Sequence, residues 1–276
     1  MSTDAPRYGQ IDHDYGMRLA TTPPEDDGPV WMVNLMKYRE VADYADGRES
    51  TITGQEADDL YAPLESLAVV GAEVVFFGVV EQQLLGDDPV WDRVAVVKYP
   101  TRRSFIDMQG RPEFQESHKH KDAGMEQTFV IGCQPMDDHG RFGHVELPDW
   151  ADVPHPPTAA DGPIMVLHVI RFDEAEAAAV TPEGMQAYQS TAAAVAVPHG
   201  LRVAGWFAVE GTIIGDGRQW HQVRFNAFPS HAAFMAVVTD PARMEAHQQH
   251  RETAIADTYT MIVRPGIDRI SESIHI

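Results

Sequence analysis

The sequence predicts an α+β protein built from two tandem β-α-β-β-α-β units, and three observations carry that prediction. The stretch from Gly71 to Lys121 aligns without a gap with Gly200 to His250, shifted by 129 positions, and 13 of the 51 positions are identical. The identities include Gly71/Gly200, Gly86/Gly215, Trp91/Trp220, Pro100/Pro229, Pro112/Pro241 and His118/His247, so turn glycines, element-starting prolines and a helix histidine keep step. Self-similarity at one fixed offset marks a duplicated unit, and two copies argue a paired domain rather than a solenoid. Both copies show the same order of apolar runs and helical patterns, and a stretch rich in Pro, Asp and His separates them.

Taken in order, residues 1–27 are polar, lack a period and end in loop chemistry, so they read as an N-terminal extension able to cover a pocket. Repeat one spans 28–135. Val30 to Tyr38 is a nearly continuous apolar run, as expected for a strand covered on both faces. Gly54 to Val70 reads as a helix with Leu60, Leu64 and Leu67 at helical spacing, with Pro63 obscuring its start. Glu73 to Leu85 and Trp91 to Tyr99 flank Gly86-Asp87-Asp88-Pro89 and form a hairpin. Pro100-Thr101 caps a helix through Gln109, Pro112 opens a second piece to Ala123, and Thr128 to Gln134 is the fourth strand. This order is the ferredoxin-like split unit.

Residues 136–162 have no hydrophobic period and read as a linker, its histidines His139, His144 and His155 solvated. Extended, it spans up to roughly 90 Å, so reach does not limit how the repeats meet. Repeat two, 163–266, replays the order with strand Ile164 to Phe172, helix Thr181 to Val197, hairpin Leu201 to Phe228, helix Ser230 to Ile255 and strand Thr258 to Arg264. Residues 267–276 form a tail. The two sheets are expected to lie face to face as an intramolecular pseudo-dimer, leaving further homodimerisation open.

A chain of 276 residues is long enough for two domains with cores of their own. A net charge of −21 disfavours nucleic acid and anionic membranes, because phosphate binding needs clustered Lys and Arg. The single cysteine excludes an intrachain disulfide framework, and neither a signal peptide nor a membrane-length apolar run is visible. The expectation is a soluble, cytoplasmic protein with a small-molecule ligand as its partner. No nucleophile motif, phosphate loop or dinucleotide fingerprint is present.

Candidate site residues come from face and position. His118 lies four residues after Phe114 on the helix begun by Pro112, so it points inward, either as a core histidine or as a base or ligand. His120 takes the opposite, solvated face. Asn34 shares strand parity with Met32, Met36 and Tyr38, and a buried amide must find partners, a fixed network or a ligand. Tyr61, Trp91 and Met108 complete the apolar lining, with Trp91 and Trp220 fitting a barrel seam better than a ligand platform. Asp92 becomes His221 in repeat two, an exchange of acid for base. The counterparts of Asn34 and Met108 are His168 and Val237, and His247 with His250 at i and i+3 makes half a metal site without a third ligand. Arg102 with Arg103, and Arg243 with Arg251, could bind a carboxylate, although exposed arginines on helices are usually solvated.

A duplicated β-α-β-β-α-β unit resembles the dimeric α/β-barrel superfamily. The phrase MVNLMKY, the turn ending in Trp91-Asp92, and YPTRRSFIDM with RPEF after it look like the family known as domain of unknown function 1330. EFQESHKH resembles the haem-degrading and cofactor-independent monooxygenases of the superfamily, in which an Asn on the first strand and a His on the second helix face one cavity. Asn34 and His118 fall on those positions, and Met108 stands where those haem enzymes carry tryptophan. The resemblance implies an oxygenase-like enzyme for an apolar or aromatic substrate, with His118 as base or haem ligand, Asn34 orienting the substrate, and either haem or no cofactor. A non-catalytic binding or scaffold protein, and an isomerase or lyase pairing His118 with Asp92, are the alternatives. Divergence between the halves predicts binding mainly in repeat one.

Overall fold

Residues 6–136, 147–173 and 178–274 are described by the structure, a computed structural model. The predicted N-terminal loop contains structure: strand β1 (Gln10–Ile11) and helix α1 (His13–Thr21), with Tyr8, Tyr15 and Leu19 almost fully buried. Asp12 caps α1 by accepting from Tyr15 N at 2.8 Å. An apolar triad spread over twelve residues is too sparse for a periodic signal, which is why the stretch reads as a loop.

Repeat one comprises β2 (Val30–Tyr38), α2 (Gly54–Tyr61), α3 (Leu64–Val69), β3 (Glu73–Leu85), β4 (Arg93–Tyr99), α4 (Arg102–Gln109), α5 (Pro112–Gly124) and β5 (Met125–Pro135). Repeat two comprises β6 (Ile164–Phe172), α6 (Glu183–Ala196), a 3-10 turn (Val197–His199), β7 (Arg202–Gly215), β8 (Gln222–Phe228), α7 (His231–Val238) and α8 (Pro241–Ala246). It continues through a π-helical turn (His247–Arg251), α9 (Glu252–Ala254), β9 (Ile255–Asp268) and α10 (Ile270–Ile274).

The strand order β5-β2-β4-β3 recurs as β9-β6-β8-β7, the split βαβ arrangement in each half. The halves join at their edges. β3 pairs with β9 and β5 with β7, all antiparallel, closing an eight-stranded barrel onto which β1 adds beside β7. Closure leaves neither repeat sheet with a free edge, and it changes what the inner face is. Trp31, Val33 and Leu35 point into a buried core shared with Phe129, Leu167, Phe207, Phe225, Tyr259 and Met261. Met32 and Met36, of opposite parity, point outward into the layer beneath the helices.

Several expected elements differ. Pro63 splits the Gly54 to Val70 helix into α2 and α3, and Leu60 and Leu64 are exposed while Leu67 is buried. The helix expected from Ser230 to Ile255 is broken at Thr239-Asp240, where Asp240 caps α8, and again at the π turn. Among the described linker residues, Val153 is buried and the Trp150 indole donates to Gly200 O at 2.7 Å, which anchors what reads as a free linker; His139 and His144 lie outside the described residues. The tail begins inside β9, and Ile270 of α10 enters the barrel core.

The amino-terminal helix depends on a small-residue groove. Tyr15 packs over Gly132 and Gly211 on the paired strands β5 and β7, and a Cβ on either glycine would collide with its ring or hydroxyl. Gly132→Ala is therefore expected to destabilise the chain by about 1–3 kcal/mol, read by urea denaturation. Tyr15→Ala should cancel most of that cost in the double variant; additive losses would show that the groove is not the cause.

Candidate functional site

The outer face of the repeat-one sheet, roofed by α2 and α5, gathers the ionisable groups. Pro112 starts α5 at the position that needs no N–H donor, and Phe114, His118 and Lys121 occupy i, i+4 and i+7 on its inner face. Thr53 forms a capping box with Glu56 at the start of α2, which brings Asp58 and Tyr61 to the same layer. α2 and α5 approach at Gly54 and Gly124, where a side chain on either would strike the other's backbone.

His118 Nε2 lies 2.9 Å from the Tyr8 hydroxyl, while its Nδ1 is shielded from solvent and has no hydrogen-bond partner among the described residues. Its ring packs edge-on against Tyr61 at 5.8 Å and tilted against Phe114 at 5.2 Å. Burial, and then the Lys121 ammonium, push the His118 pKa down to about 4, against a smaller upward pull from Asp122. At neutral pH the imidazole is uncharged. Lys121 is buried, with Nζ 5.4 Å from the Tyr61 ring and 5.9 Å from that of Tyr8. Asp58, 8% exposed, accepts from the Tyr38 hydroxyl at 2.6 Å and from Arg93 Nη1 at 3.3 Å. Burial opposes both charges, raising the Asp58 pKa and lowering that of Lys121, and each partly offsets the other.

The structure thus brings His118, Tyr61, Phe114 and Tyr38 into one layer with Met32, Met36 and Met108. Asn34 opens onto the same face of β2, half-buried, its Nδ2 donating to Met32 O at 3.0 Å; no hydrogen bond joins it to His118. Met108 is buried, its sulfur accepting from the Tyr99 hydroxyl at 3.4 Å. Trp91 is elsewhere. It sits inside the barrel, 4.8 Å from Phe129 and 5.6 Å from Tyr259, and Trp220 packs against the same two rings.

Asp92 is not brought to His118. Its carboxylate accepts the Tyr38 N–H at 2.8 Å and the Lys37 ammonium at 3.2 Å, beside an open cleft of about 670 Å³ lined by Lys37, Tyr38, Thr53 and Glu56. In repeat two His221 Nδ1 accepts the Phe172 N–H at 2.9 Å. Tyr38 and Phe172 are matched positions, each at a break in ladder register. The acid-for-base exchange therefore preserves one acceptor for one bulge N–H.

In repeat two, His168 Nδ1 lies 3.0 Å from Thr260 Oγ1, and burial with Arg251, Arg224 and Arg243 holds its pKa well below the ordinary range. His247 reaches Glu252 at 3.5 Å, and His250 is half-exposed. No group of three or more His, Cys, Asp or Glu suited to a metal occurs among the described residues. His120, expected in solvent, lies 2.7 Å from the Tyr44 hydroxyl through Nδ1.

Haem does not fit at His118 as arranged. Nε2 is engaged by Tyr8, and Phe114 and Tyr61 occupy the space around the ring that a macrocycle would need. Sequence reasoning missed Tyr8, Asp58, Arg93 and Lys121. Only Lys121 carried a signal, its i+3 spacing from His118.

No family model matches the chain, and no curated protein matches it significantly. Solved structures do. The methylated RPA0582 protein, described elsewhere as a protein of unknown function from Rhodopseudomonas palustris, is 32% identical over 47% of this chain and 97% of its own, with a TM-score of 0.41. An anthrone oxidase-like protein is 12% identical over 87% of this chain and 92% of its own, TM-score 0.48. A chlorite dismutase variant from Candidatus Nitrospira defluvii is 14% identical over 94% of this chain and 98% of its own, TM-score 0.46. Each of these three likenesses has a TM-score below 0.5.

Proposed function

We propose that the chain is a small-molecule enzyme, an oxygenase-like oxidoreductase in which His118 is the general base for an apolar or aromatic substrate in repeat one. The observation that carries this reading is an uncharged imidazole, half-shielded among Tyr8, Tyr61 and Phe114, with one nitrogen lacking a partner. A neutral imidazole accepts a proton throughout the neutral range. Its depressed pKa makes it a weak base in the empty protein, but a substrate anion formed beside it favours the imidazolium, since opposite charges within ~4–6 Å stabilise one another. Lys121, on the same helix face, adds positive charge where that anion forms. Methionine and aromatic side chains supply the apolar surface, and Asn34 Oδ1 is available to orient a donor group. A phenolate or enolate made this way is electron-rich enough to react with dioxygen directly.

The test is oxygen uptake by purified protein with a panel of phenols and enolisable polycyclic ketones. Turnover by the wild type is expected to fall roughly 10²–10⁴-fold in His118→Gln, with added haem giving no Soret shift. Binding of panel members without any oxygen uptake or turnover would favour the non-catalytic binding protein. A Soret shift abolished by His118→Gln would restore the haem reading.

A further inference from the structure

The duplicated helices part company at one turn. In repeat one the segment around His118 and Lys121 is α-helical, whereas its counterpart His247–Arg251 is a π-helical turn. A π turn holds an extra residue and rotates the residues after it to a new facing. Arg251, whose ungapped counterpart is the half-exposed Asp122, faces inward and is only 6% exposed, in the role Lys121 takes in repeat one. Such turns are rare, and recur at functional sites.

Three basic groups surround one ring there. The Arg243 guanidinium is 5.9 Å from the Tyr188 ring centre, that of Arg251 is 6.0 Å away, and the His247 imidazole packs edge-on at 6.0 Å. His168 stands on β6, and burial first, then Arg251, Arg224 and Arg243, lower its pKa. Among the described residues no carboxylate bonds either arginine. Within that same set Arg243 reaches only Val238 O, at 3.4 Å, and Arg251 makes no side-chain hydrogen bond. Glu252 is the acid at the rim; it is 60% exposed and lies 3.5 Å from His247 Nε2, while His247 Nδ1 is buried without a partner.

We infer that repeat two binds a small organic carboxylate, its oxygens on Arg251 and Arg243 and its apolar body against Tyr188. A buried guanidinium that no described carboxylate bonds is costly, and a carboxylate matches its fork of donors. Ile170, Met185 and Ala246, clustered with Tyr188, give the apolar body a surface to cover. This site stands apart from the His118 reading, being on the opposite half of the barrel.

The probe is benzoate, with benzamide as its uncharged isostere, added to the full-length protein at constant ionic strength while thermal unfolding is followed. Benzoate is expected to raise Tm and benzamide to leave it unchanged. Arg251→Met should raise the Tm of the unliganded protein, by removing a buried charge that no described carboxylate bonds, and weaken benzoate at least about tenfold. Arg243→Gln should also weaken benzoate, and keeps the test decisive if Arg251→Met folds poorly; the exposed Arg103→Gln should leave the benzoate shift intact. Equal shifts from benzoate and benzamide, a shift from sulfate but none from benzoate, or undiminished benzoate binding in Arg243→Gln would overturn the inference.

Discussion

Phe129→Ala is expected to cost about 3–5 kcal/mol and to unfold both repeats in one transition. Phe129 belongs to β5 of repeat one, yet its ring lies 4.8 Å from Trp91 of its own repeat and 6.1 Å from both Trp220 and Tyr259 of the other. It is fully buried in the barrel interior, so truncation leaves a cavity walled by strands of both halves, and neither half can collapse alone. Calorimetry of the variant checks this. Two separated transitions, or a loss below about 1.5 kcal/mol, would mean that each repeat keeps its own core and the shared interior contributes little.

The second large effect is acid lability centred on His118. In the unfolded chain an imidazole titrates near its ordinary value of 6.5, whereas in the fold its pKa is about 4. Between those values the unfolded state binds the proton first. Stability present above about pH 6.5 is thus lost as pH falls toward 4 and changes no further below, by up to about 3 kcal/mol. His168, depressed in the same direction, adds to the loss. Asp58 works the other way, because its raised pKa makes protonation easier in the fold than in the unfolded chain. Urea denaturation at steps from pH 7 to 4, comparing wild type with His118→Gln, isolates the histidine. The variant should lose stability less steeply across that window; parallel curves would mean that His118 titrates normally and is open to water.

Much of the architecture was legible because it is local. The repeat, the hairpin glycines and the cap at Thr101 are set by short-range chemistry, and each governs its own turn. The inward aim of His118 was likewise readable, since i to i+4 spacing from Phe114 places both on one helix face. The site around it was only half readable. Tyr8 is 110 residues from His118, and Asp58 meets Arg93 across 35, so no spacing rule connects them.

Residue order is enough to establish that this chain is two copies of one β-α-β-β-α-β unit, with a histidine on matched helices and diverged polar neighbours. Those are properties of periodicity and punctuation, which one strand or helix carries alone. Which face of each strand becomes barrel interior depends instead on the folded whole, because it is set by the β3·β9 and β5·β7 pairings between repeats. Closure sent Trp91 inside and left Asn34 outside beneath the helices. It also gave Asp92 and His221 a common task at a bulge, where sequence alone suggested a change of function. The π turn that buries Arg251 belongs with these: two segments aligned without a gap place different residues inward once a single helical turn widens.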